Sequence, residues 1–392
     1  MTPILPAVEG VLEAGLREGV APALSAVVLR SGREAHASCH GSIPDDPGGR
    51  PLHEGDLFDV ASLTKVMATA TLAAQAIGDG TLDLDAPVAQ RLPGFGAGGK
   101  EAVTLRQLLS HSSGLPRWRP YHALALLDPV ASAAFLPPAS RPRSDALRPA
   151  FERGRELVRR AVLAEPLEAA PGSRAVYCDP GYIALGFLLE EVLGARLAAL
   201  AESRVFLPLG LGSTSYLDGL VPDEAAAFAG GRSFVPTEQC PHRGEVNRGA
   251  VNDDNAWAMG GAAGHAGVFS TARDVAHLGQ AWLDALHGRR SIVPADVATE
   301  FARRDATPGT TRALGWDTPS AEGSSLGARL GRSGRGAIGH LGFTGTSLWI
   351  DVERELVIVL LTNRVHPTAE NERIRAFRPR FHDAVAEALG IG

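Results

Sequence analysis

The sequence predicts an α+β fold: an antiparallel sheet flanked by helices on both faces, an α/β/α sandwich, joined to an all-helical subdomain. Near each end of the chain, two strand-like apolar runs are separated by a short turn, as in hairpins. Between them the spacing turns helical, with long, nearly uncharged stretches. Strands at both ends and helices in the middle imply that the termini share one sheet and the helical part is inserted. On this reading residues 1–61 and 265–392 carry the sheet. Residues 62–264 form the helical subdomain with long loops, and the two make a single working unit.

Each element has its own signal. Residues 6–19 read as an amphipathic helix. Residues 24–30 and 34–39 form a hairpin about the Ser31-Gly32 turn. Asp59 is expected to cap a helix that carries Ser62 in its first turn and runs on through the uncharged 67–77 stretch. Thr104 is placed as the N-cap of a short helix that stops at Gly114-Leu115-Pro116, with His111 near its end as a packing residue or a C-terminal cation. Residues 117–170 read as a surface-facing insertion whose helical stretch is 149–163. Residues 181–193 form an apolar helix, followed by another over 196–205. The 222–255 stretch is weakly patterned, which is unusual in a compact domain unless it is functional. A helix spans 272–287, a hairpin is made by 346–352 and 355–362, and a last helix covers 379–389 with Pro379 in its first turn.

Composition narrows the function classes. The 392 residues are 45% hydrophobic and 21% charged, with a net charge of −6, which is ordinary for a globular chain with a large core. Without long single-sign charge runs, neither nucleic acid nor a membrane surface is expected as a partner. No apolar run approaches the roughly 18 residues needed to span a bilayer. The N-terminus lacks a basic stretch followed by an apolar one, so a cytoplasmic location is expected. Cys39, Cys178 and Cys240 are too few and too scattered for a disulfide framework, so free thiols are expected. His36 and His40 bracket Cys39 but have no second cluster at ligand spacing, so they read as strand side chains, and no metal is expected.

The chemistry-bearing stretch is Ser62-x-x-Lys65. At helical spacing i and i+3 lie on one face, which stacks the amine over the hydroxyl. Beside an apolar helix, desolvation should lower the lysine pKa and make it a base toward the serine. The helix N-terminus adds positive potential for an oxyanion. A second proton carrier is needed. Tyr177, in a loop before the 181–193 helix, could serve if a neighbouring ammonium favours its phenolate. That version needs Lys65 charged, the first needs it neutral, and the spacing fits both. A glycine-rich stretch, residues 339–346, would let substrate backbone approach closely, with His340 presenting a donor or partial cation. A rival serine, Ser325 in Gly323-Ser324-Ser325-Leu326-Gly327, matches a nucleophile elbow but lacks the strand before it and the helix after it.

In order, Ser62-x-x-Lys65, Tyr177-x-Asp179 and His340-Leu341-Gly342 resemble the motif set of the serine β-lactamase and penicillin-binding-protein superfamily. The likeness is greatest to its class C-like branch, which includes the family VIII carboxylesterases, and covers nearly the full length through residues 105–116, 253–270 and 339–351. It implies a β-lactamase-like fold and a serine hydrolase working through an acyl-enzyme, without cofactor or metal, on a small-molecule ester or amide. By position, Ser62 resembles the nucleophile, Lys65 its base or base partner, and Tyr177 the general base and acid. Asp179 stands where Asn is usual, and His340 where β-lactamases usually have Lys. Leu341 replaces a Thr, Gly342 is retained, and the backbone N–H groups of Ser62 and Phe343 are the implied oxyanion donors. The His and Leu replacements, with a repelling Asp179, disfavour the carboxylate of a β-lactam and favour hydrolysis of small carboxylic esters. The alternatives are β-lactamase or D-amino-acid peptidase activity, acyl transfer to an alcohol or amine, and a non-enzymatic covalent sensor.

Overall fold

The computed structural model describes residues 4–43, 49–221, 225, 229–332, 334 and 336–391. Its strands in chain order are β1 (Ala23–Arg30), β2 (Arg33–Ile43), β3 (Arg50–Pro51), β4 (Phe58–Asp59), β5 (Ser215–Tyr216) and β6 (Gln239–Cys240). These are followed by β7 (Glu245–Val246), β8 (Val268–Ser270), β9 (Ala337–Leu341), β10 (Ser347–Asp351) and β11 (Leu356–Thr362). The fold is the expected α+β arrangement. At the first hairpin Ser31 and Gly32 both take positive φ, 49° and 73°, the backbone that matches the twist of two paired strands.

The main sheet has the order β3-β2-β1-β11-β10-β9, with β1 antiparallel to both β2 and β11. Strands from the two ends of the chain are therefore neighbours. β1 and β11 are almost unbroken apolar runs because both faces are buried. Leu24, Ala26, Val28, Leu356, Ile358 and Leu360 pack with the terminal helices Pro6–Arg17 and Ile374–Ala388. The alternate residues Val27, Leu29, Val357 and Val359 join the larger core with the Ala272–Leu286 helix, as a side-chain period of two requires. That helix approaches closely at Gly279, where a Cβ would lie 2.6 Å from Val357 Cγ1. Any larger residue there would push helix and sheet apart.

Several elements differ from the sequence expectation. Asp59 does not cap a regular helix: it ends β4, and Ser62 lies in a 3₁₀ turn, Ala61–Leu63. A π turn, Lys65–Thr69, follows before the α-helix Ala70–Gly78. The insertion helix runs Ser144–Ala164 with Pro149 inside it, and the last helix runs Ile374–Ala388 with Pro379 inside it. Proline costs a helix one hydrogen bond, but buried Leu147, Phe151, Phe377 and Phe381 hold these turns against their cores. The 196–205 helix is an α-helix only over Leu197–Ala201, then turns π. Thr104 caps Leu105–Leu109 as expected, in a full capping box with Gln107. Cys39, Cys178 and Cys240 are free thiols. Among the described residues no helix is long and apolar enough to cross a membrane.

Candidate active site

The site is assembled where the small sheet β4-β8-β5 meets the edge of the main sheet. β4 pairs with β8 and delivers residues 60–62 into the crevice. The Asp59 carboxylate accepts from the N–H of Ala61 (2.8 Å) and of Asn252 (2.6 Å). The Asp59 and Val60 carbonyls accept from Thr344 Oγ1 and Thr346 Oγ1 at 2.9 and 3.0 Å. Clamped this way, Ala61 takes φ 50°. A non-glycine residue in that region is strained, and the strain persists only because the surroundings over-determine it. Burial pushes the Asp59 carboxyl up to about 6 despite these bonds.

Lys65 is fully buried. Its ammonium reaches Ser62 Oγ at 3.0 Å, Asp179 Oδ1 at 2.8 Å and the His265 carbonyl at 3.2 Å. With the Tyr177 phenol also beside it, its three N–H groups are shared among four partners. Of the two versions the spacing fits, the charged lysine is favoured and the fall in its pKa is not found. Burial does pull it down, but Asp179 and then Tyr177 outweigh burial, and the net shift is upward. Asp179 stands at the start of the Asp179–Leu193 helix. It is engaged by Lys65, so its charge is largely neutralised there instead of repelling a substrate.

Tyr177 is partly buried, its phenol hydrogen-bonded to both Lys65 and Ser62, and Lys65 Nζ lies 4.9 Å from its ring centroid. Burial raises its pKa and the nearby ammonium only partly offsets this, so the resting phenol keeps its proton. His111 docks the loop that carries it. The His111 carbonyl accepts from Val176 N at 2.9 Å, and its Nδ1 accepts from Cys178 N at 3.0 Å. The imidazole stacks 4.6 Å from the Tyr177 ring. Burial and the cations Arg312 and Lys65 press its pKa well below the usual value, so His111 is a neutral positioning residue, not a C-terminal cation.

His340 lies on β9, the sheet edge, its ring 6.0 Å from that of Tyr177. Burial first, then Lys65, keeps it neutral. Its Nδ1–H donates to the Leu341 carbonyl at 2.9 Å, and Nε2 has no partner among the described residues. With that tautomer Nε2 is an acceptor, which corrects the expectation of a donor or partial cation. Gly342 is required by close packing, since a Cβ there would lie 1.9 Å from Thr346 Oγ1 and 2.7 Å from the Val60 carbonyl. Phe343 follows at the rim, half exposed, under the Arg364 guanidinium. No backbone acceptor takes its N–H among the described residues.

A cavity of about 650 Å³ joins these parts. Ser62, Tyr177, Asp179, His340, Gly342 and Phe343 line it, and Lys65 lies buried beneath Ser62. All seven residues singled out in the sequence therefore meet in one place. Ser325 lies in a loop without a flanking strand or helix. That loop is docked: Leu326 and Leu330 pack with Phe377 and Phe381. Several neighbours carried no sequence signal. Arg312 lines the cavity 5.2 Å from the Tyr177 ring and is ion-paired to Asp317 at 3.3 Å. Buried His265 pairs with part-exposed Asp253 at 2.9 Å, which aligns the carbonyl that holds Lys65. The Asp253 carboxyl is held down to about 2, because His265 outweighs burial.

Because Asp179 holds the proton on Lys65, the Lys65–Tyr177 pair must lose a proton before it can take one from Ser62. Activity is thus expected to rise with pH along a limb set by the pair. Removing the carboxylate withdraws support for the ammonium, so Asp179→Asn should move that limb to lower pH by about one unit. The pH profile of kcat/KM checks this, and a limb moving upward would contradict it.

A serine and a lysine in successive 3₁₀ and π turns, a tyrosine beside both and an edge strand across the cavity fit a serine hydrolase of the β-lactamase and penicillin-binding-protein superfamily. The beta-lactamase family model matches residues 8–379, and the chain belongs to that family. A protein of Escherichia coli (strain K12) described as "Putative D-alanyl-D-alanine carboxypeptidase" is 32% identical over 337 residues, covering 81% of this chain and 72% of that protein. Among solved structures, EstCE1, "a hydrolase with promiscuous acyltransferase activity", superposes with a TM-score of 0.69 at 22% identity, covering 97% of both chains. A family VIII carboxylesterase superposes at 0.68 and 21% identity, covering 98% of this chain and 97% of that one. A penicillin-binding protein homologue from Caulobacter crescentus gives 0.69 at 18% identity, covering 98% and 97%. At these identities the superpositions speak for the fold alone.

Proposed function

We propose that the chain hydrolyses small carboxylic esters through an acyl–Ser62 intermediate. The observation that carries the reading is the Ser62–Lys65–Tyr177 cluster at the wall of a cavity whose strand edge is uncharged. Ser62 Oγ attacks the ester carbonyl, and its proton passes into the Lys65–Tyr177 pair. The N–H groups of Ser62 and Phe343 stabilise the oxyanion. The C–O bond to the alcohol breaks as the pair returns that proton to the leaving oxygen. Water then attacks the acyl-serine, its proton takes the same route, and the acid departs with Ser62 restored.

The preference for esters rests on the strand edge. His340 is neutral and Leu341 has no hydroxyl, so neither supplies the strong anchor a β-lactam carboxylate needs. Turnover of p-nitrophenyl butyrate is expected to exceed that of nitrocefin in kcat/KM by at least tenfold; faster nitrocefin turnover would overturn the ester reading.

A second reading is D-amino-acid peptidase activity, supported by Arg312. Its guanidinium borders the cavity beside Tyr177 and could pair with a peptide's terminal carboxylate. The description of the Escherichia coli relative points the same way. Release of D-alanine from an acylated D-alanyl-D-alanine peptide, lost in Arg312→Ala while ester turnover survives, would support it. Acyl transfer to an added alcohol, the activity named for EstCE1, is read from the products of the same assay.

A further inference from the structure

The wall of the cavity carries a second cluster that the acyl-transfer chemistry does not use. His122, His242 and Asp254 each turn one ligand-type atom inward, and these atoms lie within 4.8 Å of one another. The two imidazole centroids are 4.9 Å apart, and His242 Nε2 is 3.8 Å from Asp254 Oδ2. The three come from separate stretches of the chain, so no spacing in the sequence announces them.

We propose that His122, His242 and Asp254 bind a divalent transition metal such as Zn²⁺ at the edge of the active-site cavity. Two imidazoles and a carboxylate suit Zn²⁺ and its neighbours, and a three-residue set leaves coordination positions open. His122 and Asp254 line the cavity, so those positions face it, available to water or to a substrate oxygen.

The groups behind the ligands are arranged as metal sites require. The Asn255 amide oxygen accepts from the His122 backbone N–H at 2.8 Å and lies 3.3 Å from His122 Nδ1. Because that oxygen can only accept, Nδ1 carries the proton and Nε2 is left with a lone pair. Asp254 is held by its other oxygen: Oδ1 accepts from Arg243 Nη2 at 3.0 Å and from Cys240 Sγ at 3.4 Å. Oδ2 is thereby left toward His242. Donor atoms 2.0–2.2 Å from a zinc stand about 3.4 Å apart in a tetrahedral site. The cluster must contract by about an ångström, and the His242 side chain, 39% exposed, has the freedom to move. Arg243 is a nearby cation that opposes the ion, offset by the adjoining carboxylates of Asp253 and Asp254.

The test uses the purified full chain stripped with a chelator and titrated with Zn²⁺ alone against a chromophoric chelator. Co²⁺ is added in parallel to read the visible absorption of a low-coordinate site. One ion per chain is expected, with affinity at least tenfold weaker in His242→Ala and in Asp254→Asn and unchanged in Ser62→Ala. His242 is half-exposed, so its loss should leave the thermal midpoint of the metal-free protein in place. Fewer than one ion per chain, or a loss under tenfold in His242→Ala, would overturn the proposal. Because the readout is binding, the outcome is independent of the ester assignment.

Discussion

Ser62→Ala is expected to lower p-nitrophenyl butyrate turnover by about 10⁴-fold or more, while Ser325→Ala leaves it unchanged. The contrast follows from surroundings, not from the motifs, since both serines match a nucleophile pattern. Ser62 Oγ is 3.0 Å from an ammonium that is fully enclosed, and Ala61 before it is held at φ 50°. Ser325 sits in a loop pinned to the last helix, where Asp383 Oδ1 accepts from Ala328 N at 2.8 Å. The basic side chain set against Ser325 is His382, which engages its backbone, and burial lowers that imidazole to about 4. Ser62→Ala also leaves Lys65 its bonds to Asp179 and the His265 carbonyl, so the fold should survive. An unchanged thermal midpoint would separate lost chemistry from lost structure. Full activity in Ser62→Ala would remove the basis of the whole assignment.

Tyr177→Phe is expected to cost about 10²- to 10⁴-fold in kcat, the usual worth of a positioned acid and base. The ring would remain packed against His111 and beneath Lys65, so the substitution removes one oxygen and little else. If the tyrosine only filled space, kcat would stay within a few-fold of the parent. Steady-state kinetics with an alkyl ester and with an activated aryl ester add a finer check. A poor leaving group needs the returned proton more, so the alkyl ester should suffer the larger loss.

Much of the site was legible because its residues sit in short, chemically loaded strings. Ser62 and Lys65 are three apart, Tyr177 and Asp179 two apart, and His340 to Phe343 are contiguous. Four strands of the main sheet, β1, β2, β10 and β11, were legible for a similar reason: each end of the chain holds a local hairpin of two strand-like runs about a short turn, which needs no distant partner. Helix boundaries were less so. Pro149 and Pro379 announce helix starts, yet buried Leu147 and Phe377 extend those helices upstream by tertiary packing. Residues 61–69 were misjudged as one regular helix. A backbone strained at Ala61 and wound into 3₁₀ and π turns has no propensity signature, because it is imposed by Asp59, Thr344 and Thr346.

Protonation was the largest divergence. From the sequence, Lys65 could be neutral beside an apolar helix or charged beside Tyr177, and His340 read as a donor or partial cation. The folded chain favours the charged lysine and an uncharged His340, since Asp179 arrives within 2.8 Å of the ammonium while His340 is buried without a carboxylate. Arg312 went unnoticed, and the roles of His111 and of the His265–Asp253 pair, which lie inside stretches the sequence singled out, did not show there for the same reason: each acts on a residue far away in the chain.

The amino-acid string alone determined the two terminal hairpins, several of the helices and the candidate reactive side chains, because hairpins, caps and motifs are properties of neighbours. Only the tertiary structure decided where the protons reside and which charges cancel. Those depend on distances of about 3 Å between segments that the chain order keeps apart, and on water being excluded from the space between them.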